Sequence, residues 1–320
     1  MFYEKKEDGS VICQLCPVRC QIKSGETGRC RSRINQEGVL YALNYGKTVS
    51  INPFDPVEKK PLYHFLPGTQ ILSLGANYCN LRCNYCQNYE ISQYKAVTTE
   101  ITKEQLRQLL EKYDLNSIAF TYTEPVIWYE FVYDTSKYLT EIGYKTVLVT
   151  NGFINPEPLH SLLPYITAMN IDLKSIRDEF YLKNCGGRVK PVLETIQEAA
   201  RSCHLEITNL LITDENDRDE EINKLIDFVA NIDKRIPLHF SRYYPCYQLS
   251  NPATKSERLY YAYEKARQKL SHVYLGNIQF TNYLYCENCK REISLRGYGI
   301  PLELKNGKCP FCGHVNYGIW

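Results

Sequence analysis

Three cysteines lie close together on one polar loop, and this loop limits what the chain can fold into more than any other stretch. Residues 71–74 are a short apolar run that predicts a β-strand, and the glycine and asparagine that follow predict its end. Cys79, Cys83 and Cys86 then fall within eight residues. Thiols crowded onto a short loop after a strand indicate a metal site rather than a set of disulfides.

The number of cysteines on the loop indicates the kind of metal centre. Three thiolates can reach several irons of a cubane iron–sulfur cluster and leave one iron without a protein ligand. The next cysteine downstream, Cys185, is far away in the sequence. An open iron can bind a substrate or cosubstrate, which favours catalysis over simple electron carriage. The alternatives are a structural zinc knuckle, which needs a fourth ligand that this loop does not offer, and cysteines of the core.

The pattern Cys-x3-Cys-x-aromatic-Cys, with Tyr85 as the aromatic residue, resembles the cluster loop of the radical S-adenosylmethionine (SAM) enzymes. The resemblance implies a 4Fe-4S cluster whose open iron is chelated by the amino and carboxylate groups of SAM. One electron enters the cluster and the sulfonium breaks, which gives a 5′-deoxyadenosyl radical that abstracts hydrogen from a substrate.

Residues 55–68, the cluster loop with Gln87 and Asn88, and the C-terminal cysteines together resemble the radical SAM member of the AmmeMemoRadiSam system. That group is similar to pyruvate formate-lyase activating enzymes, and the resemblance covers nearly the whole chain. It implies an oxidoreductase that generates a glycyl radical on a partner protein and takes electrons from a donor such as flavodoxin or ferredoxin.

Two other functions stay open. Modification of another macromolecule, such as an RNA or a peptide, is an alternative because two extra cysteine sites are present and residues 122–124 read Tyr-Thr-Glu, where the activases usually have Gly-Gly-Glu. The second alternative is a non-enzymatic iron–sulfur and zinc scaffold that transfers electrons or binds a partner.

Composition sets the broad class of the protein. A chain of 320 residues with 44% hydrophobic content can hold one sizeable domain with small appendages. The formal net charge of +2 gives no general electrostatic case for nucleic acid or membrane binding. Fourteen cysteines without a secretory leader indicate a reducing compartment, and no stretch approaches the roughly 20 apolar residues of a membrane span. We therefore expect a soluble, cytoplasmic protein with no membrane partner.

From about residue 70 to 280, short apolar runs alternate with helical patterns, which is typical of βα units and a parallel sheet. Predicted strands are 71–74, 117–121, 146–149, 167–173, 204–212, 237–241 and 272–275, and predicted helices include 103–113, 126–141, 192–202, 220–232 and 255–270. We predict an α/β fold, a partial (β/α)6-type TIM barrel as in radical SAM enzymes. Residues 1–65 would form a cysteine-rich segment, 66–280 the barrel and 281–320 a zinc ribbon.

Sites in parallel α/β folds gather at the carboxyl ends of strands, so polar residues there are candidate ligands of SAM. Glu124 follows the second strand and could accept the SAM ammonium, or else carry a charge at a helix N-terminus. Asn151 ends the third strand, although Asn-Gly is also a general turn signal. Asp172 and Lys174 share one face at the end of the fourth strand.

The resemblance to the activases implies that Asp172 helps to hold the ribose or a nearby cation and that Lys174 meets the SAM carboxylate; a buried ion pair is the alternative. On the fifth strand Glu206 and Thr208 share one face and Asn209 the other, and we favour Asn209 as a site residue. His239 resembles a family histidine near the adenine, but a lone histidine on a strand also fits packing.

Two further groups of cysteines predict metal sites near the ends of the chain. The tail holds two Cys-x2-Cys pairs with the spacing of a closed, structural zinc ribbon, Cys286 and Cys289 with Cys309 and Cys312. The N-terminal segment holds a looser set, for which zinc is the first choice and a second iron–sulfur cluster the alternative: Cys13, Cys16, Cys20 and Cys30.

Overall fold

The computed structural model describes residues 1–297 and 304–320. Its strands are β1 Tyr3–Lys5, β2 Val11–Cys13, β3 Gln21–Ile22, β4 Arg33–Gln36, β5 Val39–Ala42, β6 Lys47–Thr48, β7 Ser50–Pro56, β8 Gln70–Gly75, β9 Thr99–Glu100, β10 Ser117–Phe120, β11 Lys145–Thr150, β12 Ala168–Asp172, β13 His204–Leu211, β14 Leu238–Arg242, β15 Val273–Gly276, β16 Asn282–Tyr285 and β17 Glu292–Arg296. Its α-helices are α1 Tyr89–Ser92, α2 Lys103–Lys112, α3 Tyr129–Glu141, α4 Pro156–Leu162, α5 Asp178–Phe180, α6 Val189–Ser202, α7 Asp219–Ile232 and α8 Ser256–Arg267. Short 3-10 helices lie at Val57–Lys59, Pro125–Trp128 and Leu163–Tyr165, and a π-helix lies at Tyr181–Cys185.

The main sheet has the order β15-β14-β13-β12-β11-β10-β8-β7 within the described ranges. All of its strands are parallel except β7, which pairs antiparallel with β8. Strands β15 and β7 are the two edges, so the sheet is open. The predicted α/β class with a partial barrel is confirmed, and each predicted strand of the sheet agrees with an observed one to within a residue at each end.

Two elements differ from the expectation in ways that local chemistry explains. Helix α6 begins at Val189 rather than near residue 192, because Pro191 lies in the first turn, where its missing N–H is not needed. The segment 50–56, which the prediction leaves outside the barrel, forms β7 and extends the sheet.

Alternate residues of the parallel strands face the inside of the sheet, and this face changes character along the strands. Near the amino ends, apolar residues of the segment that follows β7 pack against apolar residues of the strands. Together they form a small cluster of Val57, Leu62, Phe65, Ile71, Ala119, Val147 and Ala168. Toward the carboxyl ends the inward residues are polar, among them Asp172, Thr208 and Ser241. We call residues 57–68 the plug, since they fill the amino end.

The C-terminal tail covers the plug. Strands β16 and β17 form a two-stranded antiparallel sheet, and the chain end then pairs with the plug through the Leu66 N–H to the Ile319 carbonyl and the Ile319 N–H to the His64 carbonyl, both at 2.7 Å. The N-terminal segment forms a sheet of β1 to β3 and a hairpin of β4 and β5. No helix within the described ranges has the length and apolar character that crossing a bilayer requires.

Candidate active site

A cavity of about 670 Å³ opens at the carboxyl end of the sheet. The cysteine loop lies between β8 and α1, and Cys79, Cys83 and Cys86 all line the cavity. Strand β8 ends at Gly75, where a Cβ atom would lie 2.6 Å from the Thr121 carbonyl oxygen, so glycine permits the close approach that brings the loop to this edge.

Polar groups contact the sulfurs of Cys79 and Cys86. The Leu81 N–H lies 3.4 Å from the Cys79 sulfur, and the Ser92 hydroxyl lies 3.1 Å from the Cys86 sulfur. All fourteen cysteines are free thiols. The donor set therefore fits a cluster held by three thiolates, since hydrogen bonds to sulfur stabilise such centres.

The thiols of the loop need a metal to ionise. Burial raises the pKa of Cys79 well above its ordinary value and also raises the pKa of Cys86. A hydrogen bond with Cys185, followed by burial, raises the pKa of Cys83. Bound iron supplies the positive charge that makes the thiolates stable in such a site.

Tyr85, the aromatic residue of the cysteine motif, is buried beneath the loop and also borders the cavity. Its hydroxyl lies 3.3 Å from the sulfur of Cys185, which the π-helix at Tyr181–Cys185 brings against Cys83. Cys185 is fully buried and does not line the cavity. Sequence separation hides this contact, so the structure adds a residue that positions the cluster loop from behind.

Glu124 lines the cavity, but its oxygens already bind protein groups. One accepts hydrogen bonds from the Val126 N–H at 2.9 Å and the Thr150 hydroxyl at 2.7 Å, and the other accepts from the Asn151 N–H at 2.8 Å. Burial raises the pKa of Glu124 to about 7. The carboxyl group thus joins the ends of β10 and β11 and caps the 3-10 helix that begins at Pro125.

Tyr122 occupies the position at which the resemblance to the activases implies a glycine, and its backbone adopts a φ of 66°. This left-handed conformation is rare for a bulky residue. The structure keeps a glycine-like backbone with a tyrosine side chain added, and strained backbones of this kind cluster at functional sites.

Asn151 connects the third strand to the cysteine loop. Its side-chain nitrogen lies 3.6 Å from the Cys79 sulfur and donates to the Asn80 side chain at 2.9 Å. Both Asn151 and Asn80 are buried. Asn151, a predicted SAM ligand, therefore contacts the first cluster cysteine and the residue that follows it.

Asp172 and Lys174 lie together on the cavity wall, as their spacing predicts. The Lys174 ammonium is 3.1 Å from an Asp172 oxygen. Burial opposes the charge of Lys174, but the Asp172 carboxylate and, in their thiolate forms, Cys83 and Cys185 outweigh it, so the pKa of Lys174 is raised. A permanent cation therefore faces the cavity beside the cluster cysteines.

Asn209 and His239 lie outside the cavity lining. The Asn209 side chain donates to the carbonyls of Leu173 at 2.7 Å and Lys174 at 3.3 Å, so it supports the loop that carries the cation. His239 lies deeper, with its Nε2 2.7 Å from a Glu206 oxygen. Thr208 takes the place on the cavity wall that we expected for Asn209, because the strand turns its other face inward.

A buried polar group that lines the same cavity was not predicted from the sequence. An Asp55 oxygen accepts hydrogen bonds from Lys60 and from the Tyr122 hydroxyl, both at 2.6 Å. The Lys60 ammonium also lies 4.7 Å from the centre of the Tyr122 ring. Asp55 and Lys60 belong to residues 55–68, which carry the family resemblance, but only the structure shows that these two side chains face the cavity.

The tail cysteines form a compact group of four. The sulfurs of Cys286 and Cys312 are 3.6 Å apart, those of Cys289 and Cys309 are 3.7 Å apart, and all four lie within 4.8 Å of one another. A tetrahedral zinc ion with Zn–S bonds of about 2.3 Å places its sulfurs about 3.8 Å apart. The group therefore fits a structural zinc ion.

The four N-terminal cysteines line one small cavity next to the barrel. They come from the end of β2 and the loops before β3 and β4. Burial raises the pKa of Cys13 and of Cys30, and raises that of Cys16 to about 12. These thiols likewise need a metal to ionise.

Comparison with known proteins identifies the family. Residues 74–229 match the family model described as the radical SAM superfamily. The chain belongs to that superfamily, and with it the expectation of a 4Fe-4S cluster and SAM is supported. The narrower resemblance to the AmmeMemoRadiSam system stays a prediction.

Individual relatives place the chain within the superfamily. It is 42% identical to an uncharacterized protein of Methanocaldococcus jannaschii over 98% of this chain and 97% of that protein. It is 25% identical to the pyruvate formate-lyase-activating enzyme of Clostridium pasteurianum over 48% of this chain and 67% of that enzyme. The structure of Streptococcus suis SuiB bound to S-adenosylmethionine aligns with a TM-score of 0.51 and 16% identity, covering 69% of this chain and 52% of SuiB. The last likeness shows the fold.

Proposed function

We propose that this protein is a radical SAM enzyme that reductively cleaves SAM and activates a partner protein by hydrogen abstraction, as glycyl-radical activases do. The observation that carries the proposal is the convergence of three free thiols and the Asp172–Lys174 pair on one cavity of about 670 Å³. Ligand sites commonly have volumes of about 300–1,000 Å³. Distant similarity to the pyruvate formate-lyase-activating enzyme of Clostridium pasteurianum supports the choice of reaction.

The residues divide into those that hold the cluster and those that face SAM. Cys79, Cys83 and Cys86 would bind three irons of a 4Fe-4S cluster. When bound there, the cluster would supply the single electron needed for reductive cleavage of SAM. Lys174 supplies a fixed positive charge for the SAM carboxylate.

The side chains near the amino group of SAM act mainly by position. Glu124 and Asn151 fix the ends of two strands and the first cysteine, as their hydrogen bonds show. Because protein donors already occupy the Glu124 oxygens, the backbone of the turn at Tyr122, which has a left-handed conformation, is a second candidate for contact with SAM. We assign recognition of the SAM ammonium to this turn together with Glu124.

The substrate would enter on the side of Asp55, Lys60 and Tyr122. These residues line the same cavity as Asp172 and Lys174. Enclosing the reaction within this cavity keeps water and side reactions away from a reactive species.

The zinc ribbon would bind a zinc ion. Reducing conditions in the cytoplasm would keep the cysteines of all three sites available for metal binding.

Anaerobic reconstitution with iron and sulfide, followed by dithionite and SAM, tests the reaction. We expect 5′-deoxyadenosine from the wild type and none from Cys83→Ala. Cys203→Ala is the matched control, because this free thiol lies away from the cavity. A wild-type protein with an intact cluster that forms no 5′-deoxyadenosine would refute the enzyme and favour an electron-transfer or binding scaffold.

The substrate class needs a separate experiment. Cell extract grown with deuterium-labelled components would be fractionated and tested for transfer of deuterium into 5′-deoxyadenosine. Transfer from a protein fraction that then shows a glycine-centred radical supports the activase. Transfer from RNA or from a peptide without such a radical would assign the reaction to macromolecule modification instead.

A further inference from the structure

The two four-cysteine sites of this protein differ in size. The ribbon sulfurs are drawn together to the separations of a single tetrahedral ion. Within residues 1–297 and 304–320, the four ribbon sulfurs all lie within 4.8 Å of one another. The sulfurs of the N-terminal cysteines do not form such a compact group. The N-terminal set in this respect matches Cys79, Cys83 and Cys86 rather than the ribbon.

The space between the N-terminal thiols points the same way. They surround a cavity of about 20 Å³, which is room for about one water molecule. Four sulfurs at about 2.3 Å from a zinc ion would leave no such space. A polynuclear cluster, whose cysteines bind separate irons, needs this wider arrangement.

A buried cation lines the same cavity. Arg33 is 1% exposed, and its terminal nitrogens bind Glu130 at 2.9 Å and 2.6 Å. Its Nε is buried without a hydrogen-bond partner. An anionic cluster held by four thiolates would give this N–H an acceptor and would offset the positive charge.

The cavity also lies beside the cluster loop. Asn80 lines it, and the Asn80 side-chain oxygen is 3.7 Å from the Cys79 sulfur. Arg31, next to Cys30, stacks over the ring of Tyr78, next to Cys79, at 4.9 Å. The two sites are thus separated by little more than one side chain.

We propose that Cys13, Cys16, Cys20 and Cys30 bind a second iron–sulfur cluster rather than zinc, and that this site is where electrons enter the protein on their way to the Cys79 loop. Each transfer moves one electron and no proton: a reduced one-electron carrier such as flavodoxin is oxidised, and the centre at Cys79 gains the same electron by way of the N-terminal site. Cys16, Cys20 and Cys30 are partly exposed, which lets a carrier approach. The electron-entry role rests on the proposed function, whereas the identity of the metal does not.

Metal analysis of the full chain tests which metal the N-terminal cysteines bind. Protein is reconstituted anaerobically with iron and sulfide in the presence of zinc. It should hold about four iron atoms at the Cys79 loop, about two or four additional iron atoms at the N-terminal site, and about one zinc ion at the ribbon. Cys16→Ser/Cys20→Ser should lose only the additional iron, and Cys312→Ser should lose only the zinc. About four irons and two zinc ions in the wild type would overturn the proposal, and this result does not depend on whether the variants fold.

Reduction kinetics test the electron-entry role. Reduced flavodoxin should reduce the SAM-binding cluster about tenfold or more slowly in Cys16→Ser/Cys20→Ser than in the wild type, while dithionite still supports formation of 5′-deoxyadenosine in both. Equal rates with flavodoxin, or no reduction of the wild type by it, would overturn this role. Loss of 5′-deoxyadenosine in both proteins with dithionite would instead count against the proposed function.

Discussion

The two ends of the barrel interior are both rich in ionisable side chains, yet they are built in opposite ways. At the amino end, Glu206 accepts hydrogen bonds from the backbone N–H groups of Tyr63 and His64 and contacts the rings of His204 and His239. At the carboxyl end, Asp172 and Lys174 pair with each other but face a large cavity. A dense group of histidines and acids is therefore not by itself a reactive site; what matters is whether a cavity adjoins it.

The amino end shows how the plug is held in place. Burial opposes ionisation of Glu206, but hydrogen bonds from His204 and His239 outweigh it, and the pKa of Glu206 stays well below its ordinary value. The carboxylate thus joins two strands to the plug, and the tail covers the same region through the contact between His64 and the Tyr317 carbonyl at 2.7 Å. We expect this end to govern stability and the other to govern chemistry.

The largest effect should come from the cysteine loop. Cys86→Ala removes one of three cluster ligands, so formation of 5′-deoxyadenosine should fall below detection and bound iron should drop, while circular dichroism still reports a folded barrel. Iron content and product analysis by mass spectrometry measure this. Retained activity would show that another side chain can supply the third sulfur.

At the plugged end, Glu206→Ala should lower the free energy of unfolding by about 3–5 kcal/mol, because buried partners lose their acceptor. Urea denaturation measures the change. Glu220→Ala is the matched control, since Glu220 forms an exposed pair with Lys224 and should change stability little. An equal effect of the two substitutions would contradict the role of Glu206 in holding the plug.

Lys174→Met should weaken SAM binding by about 10- to 150-fold, because a charge-assisted hydrogen bond contributes about 1.5–3 kcal/mol. Equilibrium binding of SAM to the reconstituted protein measures it. Lys183→Met is the control: this exposed lysine pairs with Glu215 and does not line the cavity. Unchanged affinity in Lys174→Met would remove Lys174 from the SAM site.

The smallest expected effect is the dependence of the free energy of unfolding on pH. Because the pKa of Glu206 is lowered in the folded state, its stabilisation is complete above the unfolded pKa of about 4.3 and is lost as the pH falls below that value, by up to about 1.4 kcal/mol per pH unit. Comparing urea unfolding of the wild type and Glu206→Gln between neutral and acidic pH measures this. The same pH dependence in both proteins would show that Glu206 is not the group that responds.

The seven parallel strands of the main sheet and the spacing of the cysteine loop followed from the sequence alone. Period-two alternation correctly grouped Glu206 with Thr208 and separated both from Asn209, since alternation is a local property of the backbone. The Asp172–Lys174 pair at a strand end was predictable for the same reason.

Only the tertiary structure decided which alternate face meets the cavity and how deep each residue lies. Glu206 and Thr208 share a face, yet the plug fills the space beside the first and leaves the second on the cavity wall. Likewise Cys185 reaches Tyr85, and Asp55 reaches Tyr122, across long stretches of sequence. Such contacts depend on how distant segments fill the barrel, and no local pattern of residues records that.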